Sequence, residues 1–565
     1  MSTRFVARNL PLSDLLGERA QAQLRMPDYQ RGFSWTWDEA GQFFLDMLGF
    51  AEKRASTHGE EYFLGPVVLM RGHTASRYDY LVDGQQRLAT ALIMCSSIRD
   101  LAEEHADLVN EGSELGTRIQ ESAFQSRGPK GGARGSLVLS DLDQNYFDST
   151  MMKPGCAEAM VPMNESNGRI KKVRNRMDAG IRQTLEGRTD VIADLGHLFD
   201  SIWDGVGLVA IEVGNDTDAM EVFERINFRG RELSEADLVL HRLMMEQTQT
   251  VRRTVRKEWN AMSTVLETQI GTKGDLMGRF LRHLWIAEFG YSKSDRLSQQ
   301  VANLLQAGEM TSLELCTHSR EACSDYAALH NINDKRVRHD ARGIVHGLVR
   351  SLGVSSCLPL LLAALRRFGK DKEFLHIVQA ADALVVRHRL FCDRSQADLD
   401  KTLFGCAGLI SRASSKSAAA EKALSVLRSA MPKNDEVLAS SRRPMKLGKR
   451  QALYVLRGIE DHLQKGAFKA TATLEHIFPQ KPGKKWGNVK PMKDHVWHLG
   501  NLTLLTAQDN GGASNREFGY KKKKVYCDAE LKITRHICDY QKWGKAVIER
   551  RAHDLAAIAV QRWRI

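Results

Sequence analysis

Toward the C-terminal end of the sequence, Thr473-Leu474-Glu475-His476-Ile477-Phe478-Pro479-Gln480 sets an acid beside a histidine. Gly500-Asn501-Leu502-Thr503-Leu504-Leu505 and then Asn510 follow. These residue types suit phosphodiester cleavage, which needs a water activated beside phosphorus and a cation to absorb charge on the leaving oxygen. His476 is the expected general base. Glu475 and Asn510 offer the hard oxygens that Mg²⁺ (or Mn²⁺) takes while it keeps several waters. Asn501, in an apolar strand-like run, is expected to tie the loop across the site so that the imidazole faces the phosphate. A Glu-His pair alone is ordinarily a satisfied surface or core pair; the ordered set carries the reading.

A second constellation stands near the other end. Val82-Asp83-Gly84-Gln85-Gln86-Arg87 follows an apolar strand pattern and opens an apolar helix predicted over Leu88 to Leu101. A strand, a glycine turn and a helix N-terminus together present backbone N–H groups and a positive dipole end to an anion. Arg87 adds a bidentate donor for phosphate oxygens. Asp83 could hold a cation, and Gln85 and Gln86 could orient a water or a nucleobase. The plain alternative is a structural turn with a surface arginine.

The elements that must position these residues are legible as periodicities. Residues 61–70 (EYFLGPVVLM), 78–82 (YDYLV) and 206–213 (VGLVAIEV) read as buried strands. From about 250 to 470 the apolar spacing turns helical, clearest over 341–368 and 373–391. Pro479 ends the first strand-like run near His476, and residues 515–528 (NREFGYKKKKVYCD) read as a helix after a ββ pair. Glycine-rich, basic 125–135 and polar 431–446 read as flexible points. The organisation expected is 1–245, a domain of mixed strands and helices; 246–430, a helical spacer; and 431–565, the domain with the Glu-His motif.

At 565 residues the chain is too long for a single core, and nine cysteines without a CxxC pair read as reduced cytoplasmic thiols. No run of eighteen apolar residues exists, so no membrane partner is expected. A net charge of +12 favours a polyanionic partner, and nucleic acid is the usual one. Lys521, Lys522, Lys523 and Lys524, beside the Glu-His motif, are the expected DNA contacts, with 169–176 (RIKKVRNR) a second basic run. Trp35 and Trp37 read as core aromatics, with base stacking the alternative.

The residues around His476 resemble the HNH (ββα-metal) endonucleases, in the variant with asparagine for the third histidine. They depart from it in one place, Glu475, where that superfamily more often has Asp. Met26-Pro27-Asp28-Tyr29-Gln30-Arg31-Gly32-Phe33-Ser34-Trp35, then 63–69 (FLGPVVL), VDGQQR, and 222–230 (VFERINFRG) with 233–238 (LSEADL) occur in the order of the DGQQR-domain proteins. Their fold is related to the ParB/sulfiredoxin type. Together the two halves resemble the GmrSD-type, modification-dependent (type IV) restriction enzymes and similar single-chain phage-defence proteins. The resemblance implies an α+β, predominantly helical chain: a ParB/sulfiredoxin-like α/β N-terminal domain, a helical middle and a ββα-metal C-terminal domain. It implies NTP (ATP or GTP) binding and hydrolysis at Asp83, Gly84, Gln85, Gln86 and Arg87. Asn227 would complete the nucleotide pocket or cap a helix. It places Tyr29, Gln30 and Arg31 near that pocket or on a DNA-sensing surface. It implies Mg²⁺-dependent cutting of phage or modified DNA in the cytoplasm, alone, as a homodimer or with partner defence proteins. Two rivals stand: an NTP-switched DNA-modification sensor with an inactive HNH end, and an RNA-cleaving toxin.

Overall fold

A computed structural model describes residues 5–564 apart from 18–19, 21, 28–29, 31, 58–59, 72–77, 107–109, 128–132, 135–136, 216–217, 220–221, 223–233, 246, 272–274, 292, 294–295, 444–446, 467–470, 487–488 and 507–514. The chain is α+β and predominantly helical, and it divides into two compact units, Met1–Lys257 and Glu258–Ile565.

The first unit is built on strands β1 (Phe5–Pro11), β2 (Gln23–Arg25), β3 (Tyr62–Met70), β4 (Tyr78–Asp83), β5 (Ser126–Arg127), β6 (Ala133–Arg134), β7 (Leu137–Val138) and β8 (Val206–Val213). Six of them make one mixed sheet in the order β1-β8-β3-β4-β2-β7, and β5 and β6 pair separately. Central β3 runs parallel to β8 and antiparallel to β4. Its Val67, Val68 and Leu69 are buried, as an apolar run covered on both faces must be. The helix Gln85–Ala106 leaves the end of β4 and is buried nearly all round, which marks it as the core helix of this unit. Its neighbours are Trp37–Ser56, started by a Thr36/Glu39 capping box, Glu165–Leu185 and Val191–Trp203. The three predicted strands and the predicted helix fall where their periodicity put them.

The second unit begins as a helical array, with Leu276–Glu288, Cys357–Phe368, Lys372–Val385, Gln396–Arg412 and Lys416–Ser429 packed against one another. Helix Lys449–Gln464 then leads to an antiparallel hairpin of β9 (Ala472–His476) and β10 (Leu502–Thr506), and the unit closes with helix Lys545–Arg562. Val386, Val455, Leu456, Ile459, Leu502, Leu504, Leu555 and Ala559 lie in one continuous apolar core. The helical segment and the hairpin segment thus share buried surface. Part of 431–446, expected as a flexible point, is the helix Asn434–Ser441, held by fully buried Val437 and an Arg394–Glu436 ion pair. Among the described residues no helix is long and apolar enough to cross a membrane.

Candidate functional site

Glu475 and His476 end β9. Successive side chains of a strand point to opposite faces, and these two are separated accordingly. The Glu475 carboxylate is buried, where Oε1 accepts from Lys521 Nζ (2.7 Å) and from the Tyr526 hydroxyl (3.1 Å). Lys521 has no exposed surface and spends its other two donors on the His476 and Ile477 carbonyls (3.0 and 3.2 Å). Burial lowers the Lys521 pKa against the pull of Glu475, and it raises that of Tyr526 well above the ordinary phenol.

This overturns two expectations. Glu475 does not fit a metal ion: its charge is already matched, at hydrogen-bonding distance, by a buried ammonium. Lys521 is an interior counterion and cannot meet a DNA phosphate. Asn510, the other expected metal ligand, lies outside the described residues. Among the described residues no group of three His, Cys, Asp or Glu side chains is arranged to hold a metal ion. Of the remaining lysines, Lys522 donates to the Tyr540 carbonyl (2.9 Å), and only Lys523 and Lys524 are exposed.

His476 is partly open to solvent. Its ring meets Trp497 edge-on at 4.6 Å between centroids, and the Gln480 amide lies 3.3 Å from its Nε2. Burial, helped by the nearby Lys521 charge, lowers its pKa to about 4. The ring is therefore neutral at pH 7 and keeps the lone pair a base needs, which the Gln480 amide meets at Nε2. An arriving phosphodiester, being anionic, would raise the pKa toward the working pH, where proton transfer is most effective.

Asn501 fixes the chain around this ring. It is fully buried, and all its hydrogen-bonding capacity is used across the gap between the strands. Oδ1 accepts from Phe478 N (2.8 Å) and Trp543 Nε1 (3.0 Å), and Nδ2 donates to the Phe478 and Val496 carbonyls (2.9 and 3.0 Å). Beside it a Cβ on Gly500 would lie 1.9 Å from the Ile548 carbonyl oxygen, so only glycine lets helix Lys545–Arg562 close on the hairpin. Arg551, from that helix, donates to the Gly500 and Leu502 carbonyls (both 2.8 Å). Helix Phe518–Lys521 continues as a π-helical turn over Lys522–Tyr526, inside the predicted 515–528 span. Cys527 and Cys538 form a disulfide, where reduced thiols were expected, because the turn after Tyr526 brings their Cα atoms to 5.6 Å.

In the first unit, Asp83-Gly84-Gln85 is the strand-to-helix turn. Gly84 has φ +100°, and a Cβ there would lie 2.5 Å from Val67 Cγ1, so a glycine is required twice over. The turn's side chains face inward. Arg87 donates to the Leu64 carbonyl (3.3 Å) and pairs with Asp83 (3.2 Å), whose own pKa is raised by burial. Gln85 donates to the Gln30 amide oxygen (2.9 Å), and Gln30 in turn to the Val82 carbonyl (2.9 Å). Gln86 accepts from Ser34 N (2.8 Å). These contacts hold Gln30 and residues 32–35 over the turn. Three residues missed by the sequence reading complete the clamp. Asp143 accepts from Phe33 N (2.6 Å) and from Asn167 Nδ2 (3.0 Å), and Ser166 donates to the Phe33 carbonyl (3.0 Å). Tyr29, Arg31 and Asn227 lie outside the described residues. Trp35 and Trp37 pack against the core, with Arg176 over the Trp37 ring at 5.4 Å. In the 169–176 run Arg174 is buried against Asp100, Ser96 and Ser97, which removes it from any nucleic-acid surface.

The neutral histidines of the second unit set its response to acid. The pKa values of His283 (about 3), His330, His476 and His498 (each about 4) are lowered chiefly by burial. Below 6.5 the unfolded chain binds protons that the folded unit does not, so stability falls as pH drops from 6.5 toward 4. Thermal melts between pH 7 and pH 4.5 should show a falling midpoint; a flat one would contradict these environments.

Residues 12–244 match the family described as GmrSD restriction endonuclease, N-terminal domain, and residues 432–558 match GmrSD restriction endonucleases, C-terminal domain. No curated protein matches the chain.

Proposed function

We propose, from the premise that the chain belongs to the GmrSD restriction endonuclease family, that it is a type IV restriction-like, phage-defence DNA endonuclease. In this reading it hydrolyses phosphodiesters at His476. The observation that supports this most is the neutral, partly open imidazole at the end of β9, with the chain just after it tied by a fully buried Asn501. His476 takes a proton from water as its oxygen attacks phosphorus; the P–O bond to one strand end breaks, and that departing oxygen takes a proton from solvent. Asn501 positions the loop that follows it, and the Lys521–Glu475 pair holds the strand end from behind. The β9–β10 hairpin followed by Phe518–Lys521 supports assignment to the ββα (HNH) class.

Dependence on Mg²⁺ or Mn²⁺ is part of the family expectation. Because Glu475 does not fit as a ligand, no step of this mechanism is assigned to a metal. The first unit is read as the NTP-binding, NTP-hydrolysing and DNA-sensing half. The support is the glycine turn at Gly84, which leads directly into the N-terminus of helix Gln85–Ala106, a place suited to phosphate. The ParB/sulfiredoxin likeness belongs to the same reading.

Incubating differently modified phage DNAs with the full chain tests the function: cutting of at least one class supports it, and intact DNA throughout would sink it. The surface route of DNA is tested by replacing Lys523 and Lys524 with Gln. Each phosphate contact contributes about 0.9 to the log–log salt slope, so the slope should flatten by at most about 1.8. Replacing all four lysines would confuse this with unfolding, because Lys521 is interior. An unchanged slope would mean that DNA reaches His476 over another surface.

A further inference from the structure

In the second unit a cleft of about 660 Å³ is lined by basic side chains that the nuclease reading does not use. Arg350, Arg450, Arg457 and Arg562 converge on it, against Asp340 and Asp461. Asp340 is already paired with Arg338 (2.7 Å), which leaves the cleft with an excess of guanidinium charge. Arg450 and Arg457 stand seven residues apart, two turns along one face of helix Lys449–Gln464. Arg350 comes from a π-helical turn, Gly347–Ser351, a distortion often found at functional sites. Arg562 ends helix Lys545–Arg562, with its guanidinium 5.3 Å over the Trp563 ring.

The cleft is a built feature. A Cβ on Gly347 would lie 2.3 Å from Tyr454 Cε2, and one on Gly458 would lie 2.6 Å from the Trp563 ring, so two glycines let three elements close around it. Tyr454 and Trp563 are held in place by Asp382, which accepts from the Tyr454 hydroxyl (2.7 Å) and Trp563 Nε1 (2.9 Å). The Arg350 turn lies in the stretch between the two family matches, so the cleft joins that stretch to the C-terminal domain.

We propose that this cleft binds a phosphorylated ligand of nucleotide size, its phosphates on Arg350, Arg450, Arg457 and Arg562. Planar guanidiniums match phosphate oxygens in pairs, and several around one cleft select a multiply charged anion. The volume is in the range of small-molecule sites, and Tyr454, Leu453 and Ile344 give it a less polar wall on which a base could lie. Two sources share this chemistry, a free nucleotide and the end of a nucleic-acid strand. The helices that carry Arg450, Arg457 and Arg562 also frame the hairpin bearing His476.

The test is equilibrium binding to the full chain of three probes: inorganic tripolyphosphate, ATP, and a 5′-phosphorylated tetradeoxynucleotide. The protein is wild type, R450Q/R457Q or R450K/R457K. Arg450 and Arg457 are exposed, so the variants should fold, which melting checks. R450Q/R457Q should weaken at least one probe by about tenfold or more, with R450K/R457K in between. Equal tripolyphosphate and ATP affinity identifies the phosphates of a free ligand as what is read, and clear preference for the tetranucleotide identifies a strand end. Affinities for all three probes unchanged in folded R450Q/R457Q, or no binding at millimolar concentration, overturns the proposal. A nucleotide bound only in the first unit would give the former result and leave the reading of Gly84 untouched.

Discussion

Lys521→Met is expected to destabilise the β9–β10 hairpin by about 3–5 kcal/mol, the usual consequence of removing one partner from a buried ion pair. The loss arises from what remains: the Glu475 carboxylate without a cation, and the His476 and Ile477 carbonyls without a donor. Lys523→Met, two residues on and exposed, should change stability by no more than about 0.5 kcal/mol. Replacing both partners, as Glu475→Leu with Lys521→Met, should recover much of the loss, because no uncompensated charge is then left inside. Amide hydrogen exchange of β9 and β10 reads this end of the unit by itself. Equal protection in Lys521→Met and wild type would mean that the lysine is not the counterion.

The second large effect is on chemistry. His476→Ala should reduce DNA cleavage by a factor of about 10²–10⁴, the range for loss of one general base, while hairpin exchange and NTP hydrolysis stay near wild type. Asn501→Ala should lose both cleavage and protection. It leaves the Phe478 N–H and carbonyl, the Val496 carbonyl and Trp543 Nε1 without partners inside the protein, at about 1–3 kcal/mol for each group left buried. The two variants separate a residue that handles the proton from one that positions it.

Much of the scaffold was legible because apolar periodicity decides it. The strands β3, β4 and β8 and the helix after Gly84 fall where their alternation and spacing predict. Asn501 does tie the loop, but from the turn Leu499–Asn501 just before β10 and not from within the strand, as the apolar run suggested. The adjacency of Glu475 and His476 misled for a definite reason: neighbours in sequence are not neighbours in space on a strand, whose side chains alternate between faces. The lysine run misled because four like residues hide which of them turns inward. The signal was present in the flanks, for Phe518 and Val525, three residues before and four after Lys521, are apolar and lie on its face of a helix. Asp143 and Ser166 carried no such signal. They reach Phe33 from more than a hundred residues away, and only the fold shows that contact.

The central claim is that His476 is the base of a DNA-cutting site. The most direct measurement is single-turnover cleavage of a susceptible phage DNA by wild type and His476→Ala at equal, saturating protein, from pH 5 to pH 8. Wild type should cut fastest at the upper end of this range and lose rate toward pH 5, because the bound phosphodiester raises the imidazole pKa above the value near 4 that the free ring has. His476→Ala, folded by hydrogen exchange, should cut at least about a hundredfold more slowly at every pH. Cutting by the variant at the wild-type rate would contradict the claim and place the chemistry elsewhere in the chain.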